Sequence, residues 1–575
     1  MNKLQKTLIR YCDALISRLQ NDKASDFFGG FYCSACGIYH GRADNAVYPM
    51  LYAYSLTGDE KYTDCAKNLL IFRKKLTDSD GGVFNDFGSG WKGITVFSAL
   101  AFYKTLKNLS DVLPADLKEA LERLFEESAK WVYDDLFIGA KAYINYYAAA
   151  AAVNAAAGEY FRLPEYTLRA RELLKYCLSL FTENGLLCGE GQPHDSVSKK
   201  GCRPIDIGYN AEEAFPALAD AAMILGDRRT EKVLARHAEK MLDFMLPDGA
   251  WDNSFGTRSN KWTYWGSRTS DGCAGAFCAL SEFLPELKTA AAKNAALMIK
   301  CSENGLLCGG RDYEKLGQPV CIHHTLTHAV SLTDAALYGL TGEEALPPEP
   351  DTCGFSYKYY PELDTYKIKA GQWLAAVTGY DFANGNYARG ASHASGGAMS
   401  LLYHKDLGAV LAGSTYEYRL TEPNNMQPPA GDIPHETLMM RAEYEKNGVK
   451  YASCLDFEAN IKVSAQNDSI RADVTAHFAD VKEHKPENEN LLARFSYVFT
   501  RDEVKISCEI IGQNGEKIRF IVPVIDNSAK LVSEYACTKR KIFFLTGGFA
   551  ANEYTFELTA GKTELTLYPE TGYNI

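Results

Sequence analysis

The sequence predicts two unlike halves. An N-terminal (α/α) toroid of helix pairs over residues 1–346 is followed, after a linker at 347–363, by a C-terminal antiparallel β-sandwich over 364–575. Three observations carry this expectation. Up to Leu346 the chain is rich in Ala, and its apolar residues recur at the helical period. That helical half also repeats itself. Beyond Leu363 the apolar period changes to two, the signature of half-buried strands.

The first element is MNKLQKTLIRYCDALISRLQ, in which Leu4, Leu8, Tyr11, Leu15 and Leu19 share one helical face. It has no continuous apolar core of the kind an export signal needs. Helix, small-residue turn and second helix then recur at 54–70, 154–177, 223–242 and 337–345, at a spacing of about 50 to 65 residues. The motif ENGLLCG stands at 183–189 and again at 303–309. Pairs of this kind close into a ring or stack as an open solenoid. Closure is expected, because about six pairs fit the length and the loops after alternate helices carry the polar and aromatic residues toward one mouth.

The linker PPEPDTCGFSYKYYPEL stops helix with its prolines. Past it, Ile470, Ala472, Val474 and Ala476 alternate with polar residues, as do Val504, Ile506, Cys508 and Ile510. Short strands with turns between them read as an antiparallel sandwich.

Composition narrows the function. A net charge of −12 and a pI near 5.5 argue against nucleic acid or an anionic membrane as principal partner. No run approaches the length of a membrane span. The 16 cysteines have no paired-CxxC metal pattern, and the one CxxC, Cys33/Cys36, reads as two small buried thiols. Free thiols without an export signal give a cytoplasmic expectation. There is no Gly-x-x-x-x-Gly-Lys-Ser/Thr loop, no dinucleotide fingerprint sits between a strand and a helix, and there is no GxSxG elbow, so a nucleotide cofactor or serine-esterase chemistry lacks support.

The stretch with most chemistry is GEGQPHDSVSKKGCRPIDIGYNAEE at 189–213, a polar, Gly- and Pro-containing loop between apolar helical segments. It holds His194, Tyr209, Lys200 and Arg203. Asn145 opens an Ala-rich helix, where it caps or faces a cleft. Trp262, Tyr264 and Trp265 beside Arg268 have the makings of a sugar platform, or of an aromatic plug at a helix end. Lys199, Lys200, Arg203, Arg258, Lys261, Arg268 and Arg311 form a local cationic rim in an acidic protein. His323, His324 and His328 share a helix near Cys321, but the HExxH glutamate is missing, and His324 is assigned to the cleft rather than to a metal. His393 lies in a Gly-rich loop of the sandwich. Asp206 and Glu213 keep a glycoside hydrolase open as an alternative, with a non-catalytic carbohydrate-binding protein as the third reading.

These residues resemble the polysaccharide lyases built from a helical toroid and antiparallel β domains, the heparinase II/III-like and alginate-lyase-like group. Asn145, His194, Tyr209 and His393 look like that group's toroid Asn, loop His, following Tyr and sandwich His, in the same order. The sequence departs from the alginate-type Asn-Asn-His in having Asn145-Tyr146-Tyr147. The resemblance implies β-elimination on an anionic, uronic-acid-containing poly- or oligosaccharide, with Tyr209 as base, acid or both, and no metal or organic cofactor.

Overall fold

The computed structural model describes residues 1–135, 143–268, 270–313, 319–346, 354–382, 393–416, 437–486, 490–512, 515–526, 528–544, 547–558 and 561–569. Residues 347–353 of the expected linker and 383–392 of the Gly-rich loop lie outside them.

The helical half is a ring of two layers. Inner helices Val47–Thr57, Thr95–Asn108, Ile144–Tyr160, Phe215–Ile224, Ala274–Leu280 and Ile322–Leu337 are buried along most of their length. Outer helices Lys61–Leu76, Ala115–Asp134, Pro164–Leu178, Arg228–Met241 and Glu286–Lys300 bury one stripe and expose the other face. This division follows the residues. Ile144–Tyr160 carries Ala at 148–152 and 155–157 and lets neighbours approach from every side, whereas Arg228–Met241 puts Leu234, Ala235, Ala238 and Met241 inward and charge outward. The ring closes when the first helix, Lys3–Ile16, packs on the last, with Leu4 N donating to Thr341 O at 2.8 Å. Asn2 caps that first helix in a reciprocal box with Gln5.

The second half is antiparallel throughout its named strands. A five-stranded meander, Phe355–Tyr360 to Gly408–Ala412, is followed by a second five-stranded sheet and a six-stranded one. Phe355–Tyr360 lies inside the stretch expected as linker and forms a strand paired with Thr365–Ala370, with Tyr357 and Tyr359 on one face and the buried Tyr360 on the other. One apolar core joins all three sheets: Ile368 and Val377 from the first, Ala442 and Phe520 from the second, Val474, Ile506 and Leu565 from the third. Ile470, Ala472, Val474 and Ala476 are all buried, as the period of two requires.

The sheets dock on the toroid through polar contacts. Glu362 accepts from Thr182 Oγ1 at 2.7 Å and Asn184 Nδ2 at 3.0 Å, Lys367 pairs with Asp252, and Gly547 N donates to Trp262 O at 2.7 Å. Lys200 belongs to this seam. Its Nζ reaches Asp364 Oδ2 at 2.6 Å and the carbonyls of Gly379 and Ala459 at 3.1 and 3.0 Å. No helix among the described residues is long and apolar enough to cross a membrane.

Candidate active site

The 189–213 stretch leaves the surface and enters the ring. Gly189 has φ +109°, and a Cβ there would come within 2.6 Å of the His194 ring, so the loop can fold back only on glycine. Its carbonyl accepts from Ile144 N at 3.1 Å, which fixes the loop against the helix that Asn145 begins. At the other end, Asp206 caps the turn carrying Tyr209, accepting from Tyr209 N at 2.9 Å. Residues Asn210–Ala214 then wind as π-helix, an irregularity that recurs at functional sites. Asn210 holds it in place, its amide exchanging hydrogen bonds with Leu187 N at 2.6 Å and Leu187 O at 3.0 Å.

Tyr209 is buried, and two cations sit on it. Lys261 Nζ lies 3.3 Å from the phenol oxygen, and the Arg258 guanidinium lies 4.4 Å from the ring centroid. Arg258 Nε is 2.9 Å from Glu190 Oε1. Burial pushes the Glu190 carboxyl up to about 7, with Arg258 opposing. Both Glu190 carboxylate oxygens and Glu213 Oε2 are buried without a hydrogen-bond partner. Burial, with Asp271 adding to it, raises Glu213 well above the usual carboxylate range. Arg42 completes this wall, 2.5 Å from Asp271 Oδ1 and 3.9 Å over the Phe97 ring. The Asn145 carbonyl oxygen is buried without a hydrogen-bond partner. Such a group costs free energy unless something else satisfies it.

Other expected residues lie elsewhere. Trp262, Tyr264 and Trp265 are buried, and their polar atoms are spent inside: Trp262 Nε1 on Trp251 O at 2.9 Å, Tyr264 Oη on Asp248 at 2.7 Å, Trp265 Nε1 on Cys308 O at 2.8 Å. They form the plug and offer no ring face to a sugar. Arg268 and His324 are buried behind them, and burial holds the His324 imidazole well below its usual pKa. The expected cationic rim is divided: Arg258, Lys261 and Arg268 are buried, and the other four are half-buried or exposed. Lys200 clamps the domain seam, Lys199 pairs with Glu458 at 2.5 Å, Arg311 with Asp312 at 3.4 Å, and the half-buried Arg203 lies at the same seam, its N donating to Glu362 O at 2.8 Å.

His194 stands at the loop's outer side, Nδ1 to Tyr176 Oη at 2.8 Å and its ring edge-on to Tyr147 at 4.8 Å. His393 is buried between Tyr380 and Phe457, with both ring nitrogens facing carbonyls, Ala394 O at 3.1 Å and Phe382 O at 2.6 Å. That arrangement spends its nitrogens on backbone and presents none as a base. Asp206, one carboxylate of the hydrolase alternative, is already engaged by Tyr209 N, by Arg258 N at 3.1 Å and by Asn253 Nδ2 at 3.2 Å, which makes it a framework residue.

A family model described as the ulvan lyase N-terminal domain matches residues 8–346, and one described as the ulvan lyase C-terminal domain matches 357–559. A curated relative, the broad-specificity ulvan lyase of Formosa agariphila, is 34% identical over 473 residues, covering 80% of this chain and 73% of that protein. The chain belongs to the ulvan lyase family. It is a polysaccharide lyase, a carbon–oxygen lyase that breaks uronic-acid-containing glycans by β-elimination. Among solved structures, the heparan sulfate lyase HepC from Pedobacter heparinus is similar at 11% identity and TM-score 0.47, covering 100% of this chain and 84% of that one. The α-1,6-mannanase GH76A from Salegentibacter sp. is similar at 16% identity and TM-score 0.43, covering 58% of this chain and 99% of that one.

Sequence reasoning missed Glu190, Arg42 and Asp271. Glu190 had a local signal, a carboxylate between two glycines at the head of the polar loop. Arg42 and Asp271 are 229 positions apart and meet only through the ring.

Proposed function

We propose that this lyase acts on ulvan-type anionic polysaccharide, with Tyr209 transferring the proton at C5. The carrying observation is the buried phenol with Lys261 at 3.3 Å and Arg258 on its ring. A phenolate is a usable base only where cations stabilise it, and this is the environment such cations create. Tyr209 takes the C5 proton and returns a proton to the departing O4, so one group serves both transfers.

The C5 proton is acidic only when charge on the neighbouring carboxylate is neutralised as the enediolate develops. Asn145 supplies the amide donor for that task, and its buried carbonyl oxygen is the atom left for a bound sugar hydroxyl to satisfy. Arg258 supplies positive charge beside it. Burial raises the Glu190 and Glu213 carboxyls, which lessens the negative charge an anionic sugar meets in this pocket. His194 orients the loop through Tyr176.

The test is a panel of uronate glycans, with ulvan, heparan sulfate and alginate as members, read by the ultraviolet absorbance of the new C4–C5 double bond. Ulvan is expected to give that absorbance. Reducing ends without absorbance would mean hydrolysis and overturn the reading.

A further inference from the structure

Cys33 and Cys36 are not an isolated thiol pair. Cys321, 288 positions from Cys33, brings its sulfur to 3.7 Å from Cys33 Sγ and 3.9 Å from Cys36 Sγ. All three are buried, and their sulfurs lie within 4.8 Å of one another. These separations exceed any disulfide. They match the edge of a tetrahedron of sulfurs around zinc, about 3.8 Å for a Zn–S bond of about 2.3 Å.

A candidate fourth ligand is available four residues beyond Cys36. His40 is 1% exposed and neither of its ring nitrogens has a hydrogen bond; its nitrogens are not within 4.8 Å of all three sulfurs, so the ring must shift to take the fourth corner. The backbone is shaped for the task. Cys33 and Ile38 pair across a two-stranded hairpin, and its turn, closed by Gly37 N on Cys33 O at 2.8 Å with Gly37 at φ +73°, holds Cys33 and Cys36 on one side. Cys321 caps the helix Ile322–Leu337, its sulfur accepting from His324 N at 3.5 Å. A helix N-terminus favours the thiolate that a metal requires.

We propose that Cys33, Cys36, His40 and Cys321 bind one Zn²⁺ as a closed, structural site. Each thiol gives its proton to solvent as the Zn–S bond forms, and four protein ligands leave no open position for substrate. The ion ties the first hairpin to the last helix of the ring, across the point where the toroid closes. It also fixes Arg42, two residues beyond His40, against Asp271.

The experiment is elemental analysis and X-ray absorption on the full chain purified reduced and without chelator. About one zinc per chain with a three-sulfur, one-nitrogen shell is expected. Cys33→Ser and Cys321→Ser should lower bound zinc at least about tenfold, while Cys537→Ser, at an exposed thiol, leaves it unchanged. His40→Cys should retain the metal and convert the shell to four sulfurs. If the Ser variants do not fold, Co²⁺ titration of the metal-stripped native chain decides, since sulfur-to-cobalt charge-transfer bands are expected at one equivalent. Absence of both stoichiometric zinc and those bands, a Cys33–Cys36 disulfide in the native protein, or metal retained in Cys321→Ser would overturn the proposal.

Discussion

Lys261 Nζ sits 3.3 Å from the phenol oxygen of Tyr209, in a place where both side chains are buried. An ammonium at that distance acts through a low local dielectric, so removing it costs more than the loss of a surface charge would. Lys261→Met keeps the volume and deletes the charge. The expected outcome is a fall in kcat of about 10- to 100-fold, with the alkaline rise of the pH–rate profile displaced upward. An unchanged profile would remove Lys261 from the proton transfer.

Asn145 is expected to matter through its amide donor. Asn145→Ala should lower kcat by about 10²- to 10³-fold, the range for removing one donor to a developing oxyanion, with a smaller effect on KM. A change confined to KM would make it a ground-state contact.

Glu190 carries a pH signature in stability. Its carboxyl is raised from 4.5 to about 7 in the folded chain, so between those values the folded state binds the extra proton. The stabilisation is full below pH 4.5 and is lost as pH rises through about 7, amounting to a few kcal/mol at most. Urea unfolding at pH 5 and pH 8 should therefore show a smaller loss of stability in Glu190→Gln than in the native chain. Equal losses would show that the carboxyl is ionised throughout.

Lys200 is a seam residue, so Lys200→Ala should lower Tm while leaving KM for the polysaccharide within about twofold. Three acceptors lose their donor at the seam between sheets and ring. A large rise in KM with unchanged Tm would return Lys200 to substrate binding.

The architecture was legible wherever one local period decided it. The Ala run at 148–152 and the alternation at Val504, Ile506 and Cys508 each specify an element by themselves. The stretch carrying Tyr209 stands out in the sequence because a polar loop precedes it and a carboxylate pair, Glu212 and Glu213, follows. What sequence could not show was depth. Trp262, Tyr264 and Trp265 beside Arg268 read equally as platform or plug, and it is tertiary packing, including Phe549 from the sandwich against Trp262 and Tyr264, that buries them. Contacts of long sequence separation were equally hidden: Cys36 and Cys321 meet across 285 positions, so a CxxC read alone lacks the third sulfur that changes its meaning. His393 had the right neighbourhood in sequence, yet its nitrogens are taken by carbonyls that no residue identity reveals.

The most direct test of the proposed mechanism is Tyr209→Phe assayed on a confirmed substrate by the absorbance of the unsaturated product. The substitution removes one oxygen from a buried ring that Arg258 still covers, so the fold and KM should change little. The account predicts a fall in kcat of about 10²- to 10⁴-fold, the usual range for loss of a general acid–base group. A folded Tyr209→Phe chain that keeps most of its kcat would contradict it.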